Sequence, residues 1–245
     1  MAVRLLAIPA SHPCAAVEAM LRAKGVAYER VDLFPAFSRA WLRMCGFQGA
    51  TVPALRIDGI RVQGSRAIAR ALEASWPDPP LFPADPAERA RVEEIEAWAD
   101  GPLQAVARHI ALWSLLRSRD GVRAALGDAR LQFGCPARLA AAVAWPILRA
   151  DAAINGASSA VVRADIAALP RMLERADEWI ARGDLAGPTP TAADFQVAGC
   201  VRLMLTFEDL AEELERRPVA ELARRLIAVF PGRVPAGVLP PAWLP

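Results

Sequence analysis

Three short stretches carry the side chains that can do chemistry. In Gln63-Gly64-Ser65-Arg66 a serine stands just before Ala67, Ile68, Ala71 and Leu72, whose three- and four-residue spacing draws one apolar helical stripe. Ser65 therefore lies at or near a helix start, where N–H groups without intrahelical partners and a partial positive charge receive an anion such as a carboxylate. The plainer role of the same serine is to cap its helix. In Thr51-Val52-Pro53 a proline opens a strand, the usual place for an edge, a bulge or a cis peptide. A bend there turns a backbone N–H and C=O outward to pair with an extended ligand. The third stretch, Ser11-His12-Pro13-Cys14, opens a helix, with Ser11 in the N-cap place. Cys14 falls on that helix's apolar stripe with Val17 and Leu21, where a cysteine acts as a small buried hydrophobe.

The elements that position these residues follow a regular order. Residues 3–8 form a short apolar strand ended by Pro9, and the helix after it stops at Lys24-Gly25. Residues 28–33 alternate as a second strand. Val52, Leu55 and Ile57 lead to Asp58-Gly59, a two-residue hairpin turn, and Ile60 and Val62 resume the alternation beyond it. Strand, helix, strand implies a parallel pair with a right-handed crossover, and the hairpin adds antiparallel strands covered by a last helix. This is the order of an α/β thioredoxin-like domain. Between Ser75 and Pro86 five prolines fall in twelve residues, which neither helix nor sheet interior absorbs. Helical periodicity then runs through 89–107, 137–148, 161–182, 192–205 and 208–229, with no convincing strand, so the second domain is expected to be an all-α helical bundle. The expected division is a first domain over 1–76, a linker over 77–87, a helical domain over 88–230 and a proline-rich tail over 231–245, pinned by Trp243 and Leu244. Thr191 and Asp194 have the spacing of a reciprocal capping box, a folding device. Trp145, Trp179 and Trp243 are expected to pack.

Composition narrows the function. With 245 residues, 54% hydrophobic and 23% charged, the chain has ample length and apolar content for a buried core. Its net charge of +2 comes from interleaved acids and bases, so no basic face of the kind that holds nucleic acid is expected. Lys24 is the one lysine among 29 basic residues, a bias that looks like GC-rich bacterial coding. Cys14, Cys45, Cys135 and Cys200 are widely spaced, with no metal-ligand pattern, and read as isolated thiols of a reducing compartment. The apolar start is too short for a secretion signal, and no run approaches the length of a membrane helix; the expected location is the cytoplasm.

Taken together, Ser11-His12-Pro13-Cys14, Lys24 to Glu29, Thr51 to Leu55, Gly64-Ser65-Arg66-Ala67-Ile68, the linker Pro79-Pro80-Leu81-Phe82-Pro83 and the Thr191 box resemble a cytosolic glutathione S-transferase over nearly the whole chain. The resemblance implies glutathione as co-substrate, an apolar electrophile as second substrate, and a homodimer. It implies that Val52, before a cis Pro53, pairs its backbone with the cysteinyl part of glutathione. Ser65 then holds the γ-glutamyl carboxylate. Gly64 stands where the family carries a glutamate that helps recognise the γ-glutamyl amine, and Gln63 and Arg66 are the neighbours at hand to compensate, Arg66 with the wrong sign. Ser11 matches the serine or cysteine that stabilises the thiolate, with His12 beside it, and Arg108, His109 and Trp113, with Trp98, are candidates for the electrophile pocket. Two other readings remain open: a transferase for another low-molecular-weight thiol, and a binding protein of this fold that has lost the cofactor.

Overall fold

The structure is a computed structural model that describes residues 2–127, 129–131 and 134–244, the side chains of Arg130, Cys135, Ala137 and Arg138 excepted. Strand β1 (Val3–Ala7) leads into helix α1 (His12–Ala23), which returns to β2 (Glu29–Asp32). A 3-10 turn and the short helix α2 (Ser38–Met44) follow, then β3 (Ala54–Ile57), β4 (Ile60–Gln63) and α3 (Ser65–Ser75). The sheet order is β2-β1-β3-β4, with β1 parallel to β2 and antiparallel to β3, and β3 antiparallel to β4. The hairpin turns at Asp58-Gly59, both at positive φ, as a tight two-residue connection requires. Because strand side chains alternate between faces, Val3, Leu5 and Ala7 enter the core shared with α1 and α3. Leu6 enters the opposite core with Leu33, Leu42 and Phe47 under α2.

Lys24 fastens this domain to the linker. Its side chain is fully buried, and its ammonium donates to the Glu73 carboxylate at 2.8 Å and to the carbonyls of Trp76 and Pro79. Glu73 in turn accepts from the Leu81 and Phe82 N–H groups.

The rest of the chain is helical: α4 (Pro86–Trp98), α5 (Gln104–Leu115), α6 (Arg119–Leu126), α7 (Ala137–Ala142), α8 (Ala144–Ile154), α9 (Ser159–Arg182), α10 (Ala192–Met204), α11 (Ala211–Glu215) and α12 (Pro218–Leu226). Helix α10 is buried along nearly all its length and is the centre of the bundle. The Thr191–Asp194 capping box at its start is present, and Asp194 also accepts from the Ala186 N–H. The chain differs from its sequence pattern in several places. The periodic stretch 89–107 is divided by a π turn over Ala99–Leu103, which contains Gly101 and Pro102, and the helix resumes through Leu115. Helix α6 has no counterpart among the expected helices, and a two-residue strand pair, Arg130–Leu131 with Cys135–Pro136, interrupts the otherwise helical domain. Trp145 does not pack inside: it is 54% exposed, with the Arg149 guanidinium over its ring. Trp179 is buried edge-on to Trp98, and Trp243 lies against Trp113, which holds the tail to the body. Cys14 and Cys200 are buried free thiols and Cys45 is half-buried; the Cys135 side chain lies outside the described residues. Among the described residues no helix is long and apolar enough to cross a membrane.

Candidate functional site

A cleft of about 490 Å³ opens where the β1–α1 turn and the start of α3 face α5, α6 and α8. At one end stands the first turn of α3. Gly64 occupies its N-cap with φ 89°, and Ser65 is the first helical residue, so the serine side chain does not cap. The Ser65 hydroxyl instead accepts from Gln196 Nε2 of α10 at 2.7 Å, with Asp100 Oδ1 at 3.5 Å, which leaves its backbone N–H pointing out of the helix start. The Val52–Pro53 peptide bond is cis, and among the described residues neither the N–H nor the C=O of Val52 has a hydrogen-bond partner. Val52, Pro53, Gly64 and Ser65 all line the cleft.

Ser11 lies between this polar end and the apolar end. It is the N-cap residue of α1, yet its hydroxyl accepts no backbone N–H, so capping does not consume it. Cys14, one turn on, is sealed off: burial pushes its thiol up to about 11 against the opposing pull of the Ser11 hydroxyl, and a thiol so protonated is no nucleophile. His12 lines the cleft but is itself buried. Burial first, and the Arg108 charge second, lower its pKa to about 3, while a hydrogen bond that the ring donates to the Gln104 carboxamide works the other way. Its Nε2 is a buried atom without a partner among the described residues. The imidazole is therefore neutral and is no proton acceptor at ordinary pH. Its carbonyl packs on α10 at Gly199, where an added Cβ would sit 2.8 Å from the His12 oxygen.

The facing wall is the stripe of α5. Asp100, Gln104 and Arg108 recur every four residues and turn one edge to the cleft, followed one turn on by Ala111, Leu112 and Leu115. The wall thus grades from an acid beside Ser65, through an amide and a guanidinium, into an apolar chamber bounded by Phe34, Val122, Ile147 and Phe207. Arg39 of α2 and Asp151 of α8 approach to 3.7 Å across the chamber, and burial raises the Asp151 pKa against the pull of Arg39.

Of the candidates named from sequence, the fold brings together Ser11, His12, Val52, Pro53, Gly64, Ser65 and Arg108. Others it turns away. Arg66 pairs with the buried Glu96 at 3.2 Å, and the Gln63 carboxamide is held between the Gly49 N–H and the Thr51 carbonyl, so neither replaces a carboxylate beside Gly64. His109 points to the opposite side of α5, where Nδ1 lies 2.8 Å from Asp165 of α9. Trp113 is buried, donates to Ser159, and lies under Arg117 and against Trp243; Trp98 packs on Trp179. One turn of α5 holds both Arg108 and His109, so periodicity alone does not separate the edge that meets the cleft from the edge that packs on α9. Asp100 and Gln196 join the site without having been sequence candidates, and the four-residue step from Asp100 through Gln104 to Arg108 is the pattern that places Asp100 on the same edge.

Residues 5–80 match the family profile described as glutathione S-transferase, N-terminal domain. Solved structures extend the likeness over the whole chain. A glutathione S-transferase from Rhodospirillum rubrum is 22% identical over 96% of this chain and 97% of its own, with a TM-score of 0.62. The beta-etherase LigF from Sphingobium sp. strain SYK-6 is 21% identical over 92% and 99%, with a TM-score of 0.63. A glutathione S-transferase from Methylobacterium radiotolerans, in complex with glutathione sulfonate, is 22% identical over 92% and 90%, with a TM-score of 0.55. At these identities the structures establish the fold alone. Among curated proteins none matches the chain.

Proposed function

We propose that this chain, a member of the glutathione S-transferase family by its first domain and its fold, is an enzyme that joins the sulfur of glutathione to an electrophile seated in the apolar chamber. The observation that carries the reading is the Ser11 hydroxyl, which does not cap its helix and lies in the cleft between the α3 start and the apolar wall. The α3 first turn, with the Ser65 N–H, receives the γ-glutamyl carboxylate, and the unpaired Val52 backbone groups meet the cysteinyl amide. Asp100, beside Ser65, supplies the negative charge for the γ-glutamyl amine that Gly64 does not. Ser11 donates a hydrogen bond to the sulfur and so favours the thiolate without taking its proton, which goes to solvent. With an aryl chloride the C–S bond forms as chloride leaves with the C–Cl electron pair.

The test is calorimetric titration with glutathione, followed by conjugation to a chlorodinitrobenzene by the wild type and by Ser11→Ala. Removing one donor to a developing anion is expected to lower kcat/KM by about 100-fold with an unchanged melting temperature. No heat and no turnover would sink the reading; turnover untouched by Ser11→Ala would keep the enzyme and remove its mechanism. One observation favours a second reading, a binding protein of this fold without glutathione: a Cβ at Gly64 would meet only open space, and its φ of 89° disfavours any side chain there. Absence of heat with glutathione, with heat on adding another small thiol, would point to a transferase for that thiol instead. The family resemblance further supports a cytoplasmic homodimer, which light scattering reads directly.

A further inference from the structure

We infer that Arg108 anchors an anionic group, a carboxylate by chemistry, carried by the electrophile, so that the second substrate is an amphipathic acid and not a wholly apolar molecule. This deepens the reading of the cleft as a thiol-conjugating site and rests on it.

Two cations line the cleft, and they are placed differently. Arg39 faces a carboxylate, Asp151, at 3.7 Å. Arg108 faces none: among the described residues no carboxylate oxygen lies within 4.0 Å of its guanidinium, and its one hydrogen-bond contact is Asn155 Oδ1 at 3.4 Å. That carboxamide is held in place, because Asn155 Nδ2 donates to the Asp151 carbonyl at 2.7 Å, which turns Oδ1 toward the arginine. His12 next to it is neutral and brings no charge. A guanidinium drawn into a largely apolar cleft loses hydration that a carboxamide oxygen at 3.4 Å does not replace, whereas a carboxylate would use its planar fork in two parallel bonds.

Position separates the two anions that could supply that carboxylate. The α3 start and Asp100 lie roughly two helical turns away along the α5 edge. Past Arg108 that edge is Ala111, Leu112 and Leu115, and Asn155 is the C-cap of α8, which walls the apolar chamber with Ile147. The guanidinium thus stands at the mouth of the chamber, on the electrophile's side of Ser11, where an acid with an apolar body places its charge on Arg108 and its carbon skeleton beyond.

The experiment compares a chlorodinitrobenzoate with its methyl ester, the same leaving group with and without the charge, in the wild type, Arg108→Gln and Arg108→Lys. The wild type is expected to favour the acid by about tenfold or more in kcat/KM, mainly through KM, and the ratio to collapse about tenfold in Arg108→Gln with partial return in Arg108→Lys. A ratio unchanged by Arg108→Gln overturns the inference. An unchanged ratio together with weaker glutathione binding in calorimetry overturns it too, and assigns the guanidinium to a carboxylate of the thiol peptide. If no electrophile is turned over, titration of the chlorine-free dinitrobenzoate decides. Binding lost in Arg108→Gln then supports the anion site while the transferase reading fails, and binding equal in both proteins overturns the anion site as well.

Discussion

Acidification should expose the buried state of His12. In the folded chain burial and the Arg108 charge hold its pKa near 3, whereas in an unfolded chain a histidine titrates near 6.5. The unfolded state therefore binds a proton that the native state refuses. The sign follows: the contribution is fully present above about pH 6.5 and is lost as pH falls below it, with a slope approaching about 1.4 kcal/mol per pH unit until the folded pKa is reached. Between pH 7 and pH 5 the loss amounts to about 2 kcal/mol, a window that stays above the range where most carboxylates titrate. The assay is urea denaturation at pH 7 and pH 5 for the wild type and His12→Asn. Subtracting the two pH differences removes the other groups, including His109 with its Asp165 partner. The wild type should lose about 2 kcal/mol more than the variant, and the His12 ring proton resonances should not titrate across the interval. Equal pH dependence in the two proteins, or a ring signal that titrates near pH 6, would refute the buried neutral imidazole.

Two further perturbations test the scaffold of the site. Gly199→Ala places a Cβ 2.8 Å from the His12 carbonyl, so α1 and α10 must separate. A loss of about 1–3 kcal/mol is expected in denaturant titration, with a larger fall in kcat than in glutathione affinity, since Ser11 rides on the same turn. Lys24→Met leaves the Glu73 carboxylate and the carbonyls of Trp76 and Pro79 without their shared donor. It is expected to cost about 3 kcal/mol and to loosen the linker, read as faster proteolysis near Ser75; a change under about 0.5 kcal/mol would contradict the role given to this lysine.

Local chemistry made much of the fold legible. Positive φ at Asp58-Gly59, the proline cluster after Ser75 and the Thr191–Asp194 box are properties of neighbouring residues, and the chain adopts them where its sequence requires. The interruption at Ala99–Leu103 was less legible, because α4 on one side of Gly101-Pro102 and α5 on the other are both helical and the chain stays helical through the π turn between them. Trp145 misled for a related reason: an aromatic side chain indicates packing only when another element covers it, and Trp145 is left 54% exposed on α8.

For the site, the sequence by itself determined which groups are available: a serine at each of two helix starts, a strand-opening proline, a glycine where a carboxylate was expected, and a basic pair, Arg108 and His109, on one helix. Tertiary structure decided their use. Helix α10 supplies Gln196 to the Ser65 hydroxyl, Glu96 draws Arg66 away, Asp165 takes His109, and α8 sets Asn155 before Arg108. Each choice depends on a partner 30 or more residues distant in the chain, with Gln196 131 positions from Ser65. Helical periodicity fixes the angle between Arg108 and His109, but only the packed neighbours fix which of the two meets the cleft.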